Sequence, residues 1–331
     1  MNKNRRAGLK GIWAMTALAM AALAAMPAAA QQAWPSKPVR IVVPFAPGGS
    51  TDVVARMVGQ KLSAIWGVPV IIENRAGGGG NVGADLVAKS PADGYTLLMA
   101  SGSITINPHI YKKMPFDTVK DLAPITNVAS GPMLVVVSES APQKTLKELI
   151  DFAKANPGKV NFGSAGVGSQ VHLAAENFAD AAGIDIAHVA YRGEAPAYND
   201  LMGKQIQMMV GNFAAASALL GNGRLRALAV TGKERSSQLP EIPTVAESGL
   251  PGFENTGWFG LLAPAGTPAS VINKVQADTV KTLAQTDTKA RLFVQGMSPV
   301  GNSSADFAKA MVAESQRWAT VVNNRKLAGT N

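Results

Sequence analysis

Short β-rich runs alternate with helix-length segments along the chain, and this alternation restricts the possible folds more than any other feature of the sequence. The β-rich runs consist mostly of aliphatic residues, and the longer segments place apolar residues at helical spacing. We predict strands over 39–44, 68–73, 95–100, 134–138, 160–162, 187–190, 206–210 and 227–231. We predict helices over 51–66, 82–89, 146–156, 169–182, 270–285 and 304–323. Strands that alternate with helices build a sheet covered by helices, so the sequence predicts an α/β protein.

Two strand–loop–helix modules, at 41–52 and 160–169, share a glycine-rich loop with hydroxyl side chains. Their sequences are IVVPFAPGGSTD and VNFGSAGVGS. At the start of a helix, free backbone N–H groups and the helix dipole bind an anion without any charged side chain, and glycine lets a ligand approach the backbone. Such loops lie at the carboxyl ends of strands, where open sheets bind ligands. Two of them facing each other would form an anion-binding cleft; two tight strand-to-helix turns without a ligand are the alternative.

The first thirty residues have the composition of a secretory signal peptide. Four basic residues precede an apolar run over 11–26, and Pro27 is followed by three alanines, so we expect cleavage after Ala30. An uncleaved membrane anchor is the alternative, and both the general secretory and the twin-arginine export routes stay open. Without these residues the formal charge falls from +9 to +5, which suits an anionic small molecule. The absence of cysteine excludes disulfides and a lipoprotein anchor, so the sequence predicts a freely diffusing periplasmic protein.

Catalytic, metal and nucleotide chemistry has little support in the sequence. The run at 78–83 satisfies G-x-G-x-x-G, but it does not follow its strand directly and the next strand has no acidic residue at its end. His109, His172 and His188 lack metal-ligand spacing, and the G-x-S-x-G and S-x-x-K motifs are absent. No basic run with interleaved aromatic residues indicates nucleic acid. The sequence therefore predicts no enzyme activity, no metal, no cofactor and no nucleic-acid partner.

Seven short motifs occur along the chain in an order that resembles a known family. They are PSKPVRIVVPFAPGG at 35–49, ENRAGGGGNVG at 73–83, PADGYTL at 91–97, FGSAGVGS at 162–169, YRG at 191–193, LPEIPTVAESG at 239–249 and WFGLLAPAGTP at 258–268. Through these motifs the chain is similar, over nearly all of its length after the leader, to the periplasmic solute-binding proteins of tripartite tricarboxylate transporter systems, the Bug proteins.

This resemblance implies a two-lobed periplasmic-binding-protein (Venus flytrap) fold with a ligand cleft between the lobes. Lobe 1 is expected to combine residues 31–131 with 255–331, and lobe 2 to comprise 132–254, so that two chain crossings form the hinge. The implied function is capture of a small carboxylate for an inner-membrane permease, and we expect a monomer. A ligand sensor that docks on a receptor kinase is one alternative. A periplasmic hydrolase or isomerase that uses a cleft serine is the alternative from another class.

The resemblance also assigns ligand contacts by position, made mainly through backbone N–H groups, hydroxyls and ordered waters. The expected contacts are Phe45, Ala46, Pro47, Gly48, Gly49, Thr51, Ser164, Ala165, Gly166, Gly168, Ser169, Tyr191, Arg192, Gly193 and Asn212. The planar guanidinium of Arg192 suits a carboxylate, although a solvated surface arginine is the alternative. Asp52 is expected to cap its helix, because its charge would repel an anion.

The segment 206–213 departs from the family pattern. Many members carry acidic residues there, which can bind the amine of an amino-acid ligand, whereas this chain has Gln207, Gly211 and Asn212. We therefore expect a purely anionic ligand, such as a di- or tricarboxylate or an aromatic acid, while acidic amino acids stay open.

Overall fold

The strands and helices follow the alternation of the sequence closely. The computed structural model describes residues 34–329, and the residues from Lys37 onward form one compact unit; the predicted signal peptide lies outside the described residues. The strands in this range are β1 (Val39–Val43), β2 (Val70–Asn74), β3 (Thr96–Ser101), β4 (Leu122–Ser138), β5 (Asn161–Ser164), β6 (Ala187–Ala190), β7 (Met208–Asn212), β8 (Leu225–Val230), β9 (Thr256–Pro264) and β10 (Ser298–Pro299). The helices are α1 (Ser50–Trp66), α2 (Asn81–Ala88), α3 (Ser103–Ile110), α4 (Leu146–Ala155), α5 (Gln170–Ala182), α6 (Glu194–Met202), α7 (Phe213–Gly221), α8 (Ala269–Ala284), α9 (Thr286–Val294) and α10 (Ser304–Asn324). The predicted α/β class is confirmed.

The strands form a mixed sheet in the order β2-β1-β3-β9-β4-β7-β5-β6, with β8 and β10 also paired to β4. One end is parallel, because β1 pairs with β2 and with β3 in the same direction. The other end is parallel as well, because β5 pairs in the same direction with β6 and β7. Between these two ends, β9 and β4 run antiparallel to their neighbours. The two predicted glycine loops therefore follow strands of two separate parallel groups.

Strand β4 is 17 residues long and belongs to both halves of the sheet. Its residues up to Pro132 pair with β9, and its residues from Met133 onward pair with β7. From Leu134 it also pairs with β8. The strand therefore changes its partners within one or two residues, and it joins the two halves through continuous backbone.

Each half of the sheet has its own hydrophobic core. The first half packs Leu98 and Leu262 with Phe307 of α10, and the ring of Trp258 meets that of Phe307 edge-on at 5.2 Å. The second half packs Phe162 of β5 with Phe178 of α5 and with apolar residues of α4. Burial of one such aromatic side chain contributes about 1.5–3 kcal/mol, so each half is stabilised by its own interior. None of the helices in residues 34–329 has the length and apolar character needed to cross a bilayer.

The completely buried hydroxyl of Thr231 joins the two chain segments that connect the halves. Its Oγ1 accepts a hydrogen bond from Met133 N–H at 2.7 Å and donates one to Asn255 O at 2.6 Å. We expect Thr231→Val to lower the free energy of unfolding by about 1–2 kcal/mol, because buried backbone groups lose a partner. Urea denaturation measures this change.

Thr279→Val is the matched control for this substitution. Thr279 is equally buried, but its hydroxyl donates only to Val275 O within its own helix. A carbonyl in a helix already has a backbone donor, so we expect a loss below about 0.5 kcal/mol at this position. Equal losses in the two variants would contradict the role assigned to Thr231.

Candidate functional site

Both glycine loops reach one cavity at the middle of the sheet. Its lining residues are Phe45, Gly49, Thr51, Ser101, Ala165, Ser169, Gln170, Val171, Glu194 and Asn212. The cavity encloses about 10 Å³, which is room for about one water molecule. A carboxylate ligand would therefore require the halves to move apart before it enters.

The first loop turns into helix α1 with Gly49 at the N-cap position. Asp52, in the first turn, accepts a hydrogen bond from Gly48 N–H at 3.0 Å and from Asn74 Nδ2 at 2.9 Å, and it pairs with Arg56 at 2.9 Å. Burial works against ionisation of Asp52, but these hydrogen bonds outweigh it and lower its pKa. The carboxylate thus binds the loop before the helix, whereas the N-cap residue Gly49 receives no side-chain cap.

The second loop turns into helix α5 with Ser169 at the N-cap, and its Oγ accepts from His172 N–H at 3.3 Å. Within the loop, Ser164 Oγ accepts from Gly166 N–H at 3.0 Å. The first turn of α5 contains no acidic residue. A helix leaves its first amides without an intrahelical acceptor, and the hydroxyl cap of Ser169 adds no negative charge, so this end of the cavity keeps a partial positive charge.

Two histidines stack beneath the second loop. The rings of His172 and His188 lie 3.9 Å apart, and Phe162 stacks on His188 at 4.9 Å. His188 Nε2 is 2.6 Å from Ser164 Oγ. Burial, followed by the proximity of His172, lowers the pKa of His188 to about 3. These two histidines therefore support the loop from below, and His188 is neutral at physiological pH.

Glu194, which the sequence analysis did not identify, places a carboxylate in the cavity. Its Oε2 accepts from Ser50 N–H at 2.9 Å, and its Oε1 accepts from Asn212 N–H at 2.9 Å and Asn212 Nδ2 at 3.0 Å. Burial raises the pKa of Glu194, although the bonds from Ser50 and Asn212 oppose that rise. It is the one ionisable side chain among the residues that line the cavity. An acidic residue in the first turn of a helix usually complements the helix dipole, so its position in the sequence carries no signal of a cleft group.

Tyr198 occupies the space left by the missing side chain at Gly211. A Cβ atom at Gly211 would lie 2.0 Å from Tyr198 Oη. The end of β7 therefore accommodates a tyrosine ring. Glu194, one helical turn before Tyr198 on α6, supplies a carboxylate next to Asn212 instead.

Tyr198→Phe is expected to raise the free energy of unfolding by about 1 kcal/mol. The hydroxyl of Tyr198 is buried without a hydrogen-bond partner in the described part of the chain, and removing an unsatisfied buried group is favourable. Thermal and urea denaturation measure the change. A loss of stability would show that the hydroxyl has a partner, such as an ordered water.

The two halves also touch directly beside the cavity. Ala46 N–H donates to Arg192 O at 2.9 Å, and Ala215 N–H donates to Ser50 Oγ at 3.0 Å. A Cβ atom at Gly79 would lie 1.9 Å from Val167 O. The glycines at 78–83 thus allow close approach of the second loop, which is a structural reason for a run that superficially resembles a nucleotide motif.

The structure brings some, but not all, of the expected contacts into the cavity. Those that line it are Phe45, Gly49, Thr51, Ala165, Ser169 and Asn212. Five others belong to the two loops without lining the cavity: Ala46, Pro47, Gly48, Ser164 and Gly168, of which Pro47 and Gly48 are exposed. Gly193, the N-cap of α6, does not line it either. Gly166, Tyr191 and Arg192 line a separate outer groove, and Tyr191 Oη donates to Asp200 there at 2.7 Å. Across residues 34–329, no cluster of His, Asp or Glu is arranged to hold a metal ion.

Comparisons with known proteins agree on one family. Residues 54–327 match the family model described as the tripartite tricarboxylate transporter family receptor. Protein BugT of Bordetella pertussis is 36% identical over 97% of this chain and 98% of its own length. The structure of R. palustris Rpa4515 with adipate has a TM-score of 0.87 at 35% identity, over 89% of this chain and 99% of that one. The periplasmic binding protein BugD has a TM-score of 0.86 at 32% identity, over 89% and 99% of the two chains.

Proposed function

The chain belongs to the tripartite tricarboxylate transporter family of receptors, and from this we propose that it is a periplasmic solute-binding protein that closes two lobes around a small carboxylate. The family consists of solute-binding proteins, and Rpa4515 is a relative whose structure contains adipate.

The observation that carries this proposal is the convergence of two helix N-termini on one cavity. Gly49 and Thr51 at the start of α1 and Ser169 and Gln170 at the start of α5 line the same space. Each helix start carries a partial positive charge, because its first N–H groups have no acceptor within the helix. Such an arrangement binds a carboxylate through the backbone, and ordered waters allow one scaffold to accept ligands of different shape.

We place the lobe boundaries where the sheet changes partners. Lobe 1 comprises 31–131 and 255–331, and lobe 2 comprises 132–254. The change of partner in β4 between Pro132 and Met133 supports the first boundary. The hydrogen bond of Thr231 to Asn255 O, just before β9, supports the second. In this scheme the lobes rotate about two short crossings, and ligand entry and release require opening.

We propose that the protein binds its ligand without converting it. Ser164 and His188 are in contact and superficially resemble a nucleophile and its base. Ser164 is completely buried, however, and its oxygen already accepts from Gly166 N–H. A pKa of about 3 also makes His188 a weak base. A hydrolase or isomerase that uses this serine would require an accessible Ser164 and a more basic His188.

The cellular setting follows from the family and from the sequence of the leader. We propose export to the periplasm with cleavage near Ala30, a monomeric protein, and docking of the closed form on an inner-membrane permease. A receptor kinase as the docking partner is the alternative. Permease genes beside the gene for this chain would favour transport, and a kinase gene would favour sensing.

A thermal-shift screen against carboxylates tests the binding function. The protein is first denatured and refolded to remove any co-purified ligand. A ligand that binds only the folded state adds about 2.7 kcal/mol of stability at 100 times its Kd. A raised melting temperature with one class of carboxylate, and recovery of the compound unchanged after incubation, are the expected results. No shift with any carboxylate, or turnover of the compound, would contradict the proposal.

A further inference from the structure

Glu194 changes the charge of the cavity, and this bears on which ligand the cavity accepts. Among the lining residues it is the one ionisable group, and no Lys, Arg or His side chain lines the cavity beside it. Three N–H donors from Ser50 and Asn212 point at its two oxygens, which is the environment of an ionised carboxylate. Burial raises the pKa of Glu194, and these hydrogen bonds oppose that rise by favouring its charged form.

The two helix starts at the cavity are not equivalent. At α1, the carboxylate of Glu194 already accepts from Ser50 N–H, and Asp52 accepts from Gly48 N–H. At α5, Ser169 provides a neutral hydroxyl cap and the first turn contains no acidic residue. The start of α5 is therefore the one that retains its attraction for a ligand carboxylate.

A short polar path links this anion site to Glu194. Gln170, the first residue of α5, donates from Nε2 to Asn212 Oδ1 at 3.2 Å, and Asn212 Nδ2 donates to Glu194 Oε1 at 3.0 Å. The two ends of the site are thus two hydrogen bonds apart. A small ligand can span them with a carboxylate at α5 and a second group at Glu194.

Charge balance decides what that second group is. Each helix N-terminus contributes roughly half a positive charge, and the half charge at α1 already faces Glu194, so the one at α5 is left for a ligand carboxylate. A dicarboxylate would add two negative charges to this buried space, whereas a zwitterion adds no net charge. An ammonium beside Glu194 would also form a charge-assisted hydrogen bond.

We propose that Glu194 makes this site selective for ligands that carry a cationic amine as well as a carboxylate, that is, for amino acids. The inference rests on the proposed function. It replaces our expectation of a purely anionic ligand, because α6 provides an acidic group that β7 lacks. It also separates this chain from Rpa4515, whose structure contains the dicarboxylate adipate.

Calorimetric titration with matched compounds tests the proposal. The panel pairs dicarboxylates, monocarboxylates and ω-amino acids of four, five and six carbons, and adds alanine and glutamate as α-amino acids. In the wild type we expect at least one amino acid to bind at least about tenfold more tightly than the dicarboxylate of equal length, the effect of one charge-assisted hydrogen bond. Glu194→Gln should lower the affinity for that amino acid by about 10- to 100-fold. The preference for the amino acid over the dicarboxylate should become smaller or reverse.

Two further variants separate charge from structure. Glu194→Asp keeps the charge and should retain the preference for the amine, even where affinity falls. Glu241→Gln removes an exposed carboxylate outside the cavity and should leave all affinities unchanged. A dicarboxylate that binds the wild type as tightly as its amino-acid match, or a preference that survives Glu194→Gln, overturns the inference and leaves carboxylate binding intact. No binding by any compound in the panel overturns the inference, and the thermal-shift screen then decides the proposed function separately.

Discussion

Gly168→Val is expected to weaken ligand binding by at least about 100-fold while both lobes stay folded. Gly168 has a φ of +78°, and a Cβ atom there would lie 1.9 Å from Asn107 Oδ1. Left-handed backbone costs a branched residue roughly 1–2 kcal/mol, and overpacking adds about 1–3 kcal/mol. Asn107 cannot retreat easily, because its Nδ2 donates to Gly79 O at 3.1 Å and to Asn81 Oδ1 at 2.9 Å.

The location of this clash explains why binding suffers more than folding. Asn107 lies in α3, in the proposed lobe 1, and Gly168 lies in the second loop, in the proposed lobe 2. A larger side chain at 168 therefore holds the lobes apart, and an open cleft cannot enclose a ligand. Small-angle scattering should show a larger radius of gyration for this variant than for the wild type without ligand, and calorimetry with the best compound from the carboxylate screen should show the loss of affinity.

Gly49→Ala is the matched comparison in the first loop. Gly49 has a φ of −80°, which alanine adopts readily, and its nearest neighbours, atoms of Glu194, would lie 3.6–3.7 Å from a new Cβ atom. We expect its affinity to stay within about threefold of the wild type, since an ordinary van der Waals contact costs little. Equal losses for the two variants, or unchanged affinity in Gly168→Val, would contradict this account of closure.

Acidification from pH 7.5 to pH 5 is expected to remove about 2 kcal/mol of stability through His188 alone. In the unfolded chain a histidine binds its proton with a pKa near 6.5, whereas burial holds the pKa of His188 at about 3 in the folded protein. Between these two values the unfolded state binds one more proton than the folded state. The contribution is therefore fully present above pH 6.5 and is lost as the pH falls towards 3.

His188→Phe isolates this contribution from other titrating groups. Phenylalanine keeps the aromatic stack with Phe162 and His172 but cannot bind a proton. Urea denaturation of both proteins at pH 7.5 and pH 5 gives four free energies of unfolding. The decrease should be about 2 kcal/mol smaller in the variant, and an equal decrease in the two proteins would contradict a neutral His188.

The parallel strands and both glycine loops could be predicted from the sequence because local pattern determines them. Runs such as Val39–Val43 are β-branched and end at turn residues, and α5 begins at a serine cap. The first half of β4 was not predicted, because Pro124, Gly131 and Pro132 interrupt the pattern. Pairing with β9 holds that segment extended, and long-range pairing of this kind leaves no local signal.

The acidic group of the site was missed for a similar reason. The resemblance led us to expect any acidic group of the site at the end of β7, where this chain has Gly211. The structure fills that space with Tyr198 from α6 and brings Glu194 of the same helix to Asn212. Such an exchange between a strand and a helix is visible only when the two elements are packed together.

The position of β9 in the sheet has a consequence for the order in which the strands can pair when the chain emerges from its N-terminus, from the ribosome or across the membrane. Strand β9 lies between β3 and β4, so β1, β2 and β3 cannot join the rest of the sheet until residue 264 has emerged. All the strands that pair within the second half have emerged by Val230. The middle of the chain therefore completes its sheet before the beginning does. During that interval the edge of β3 is an unpaired template, which makes release of a shortened chain an aggregation hazard.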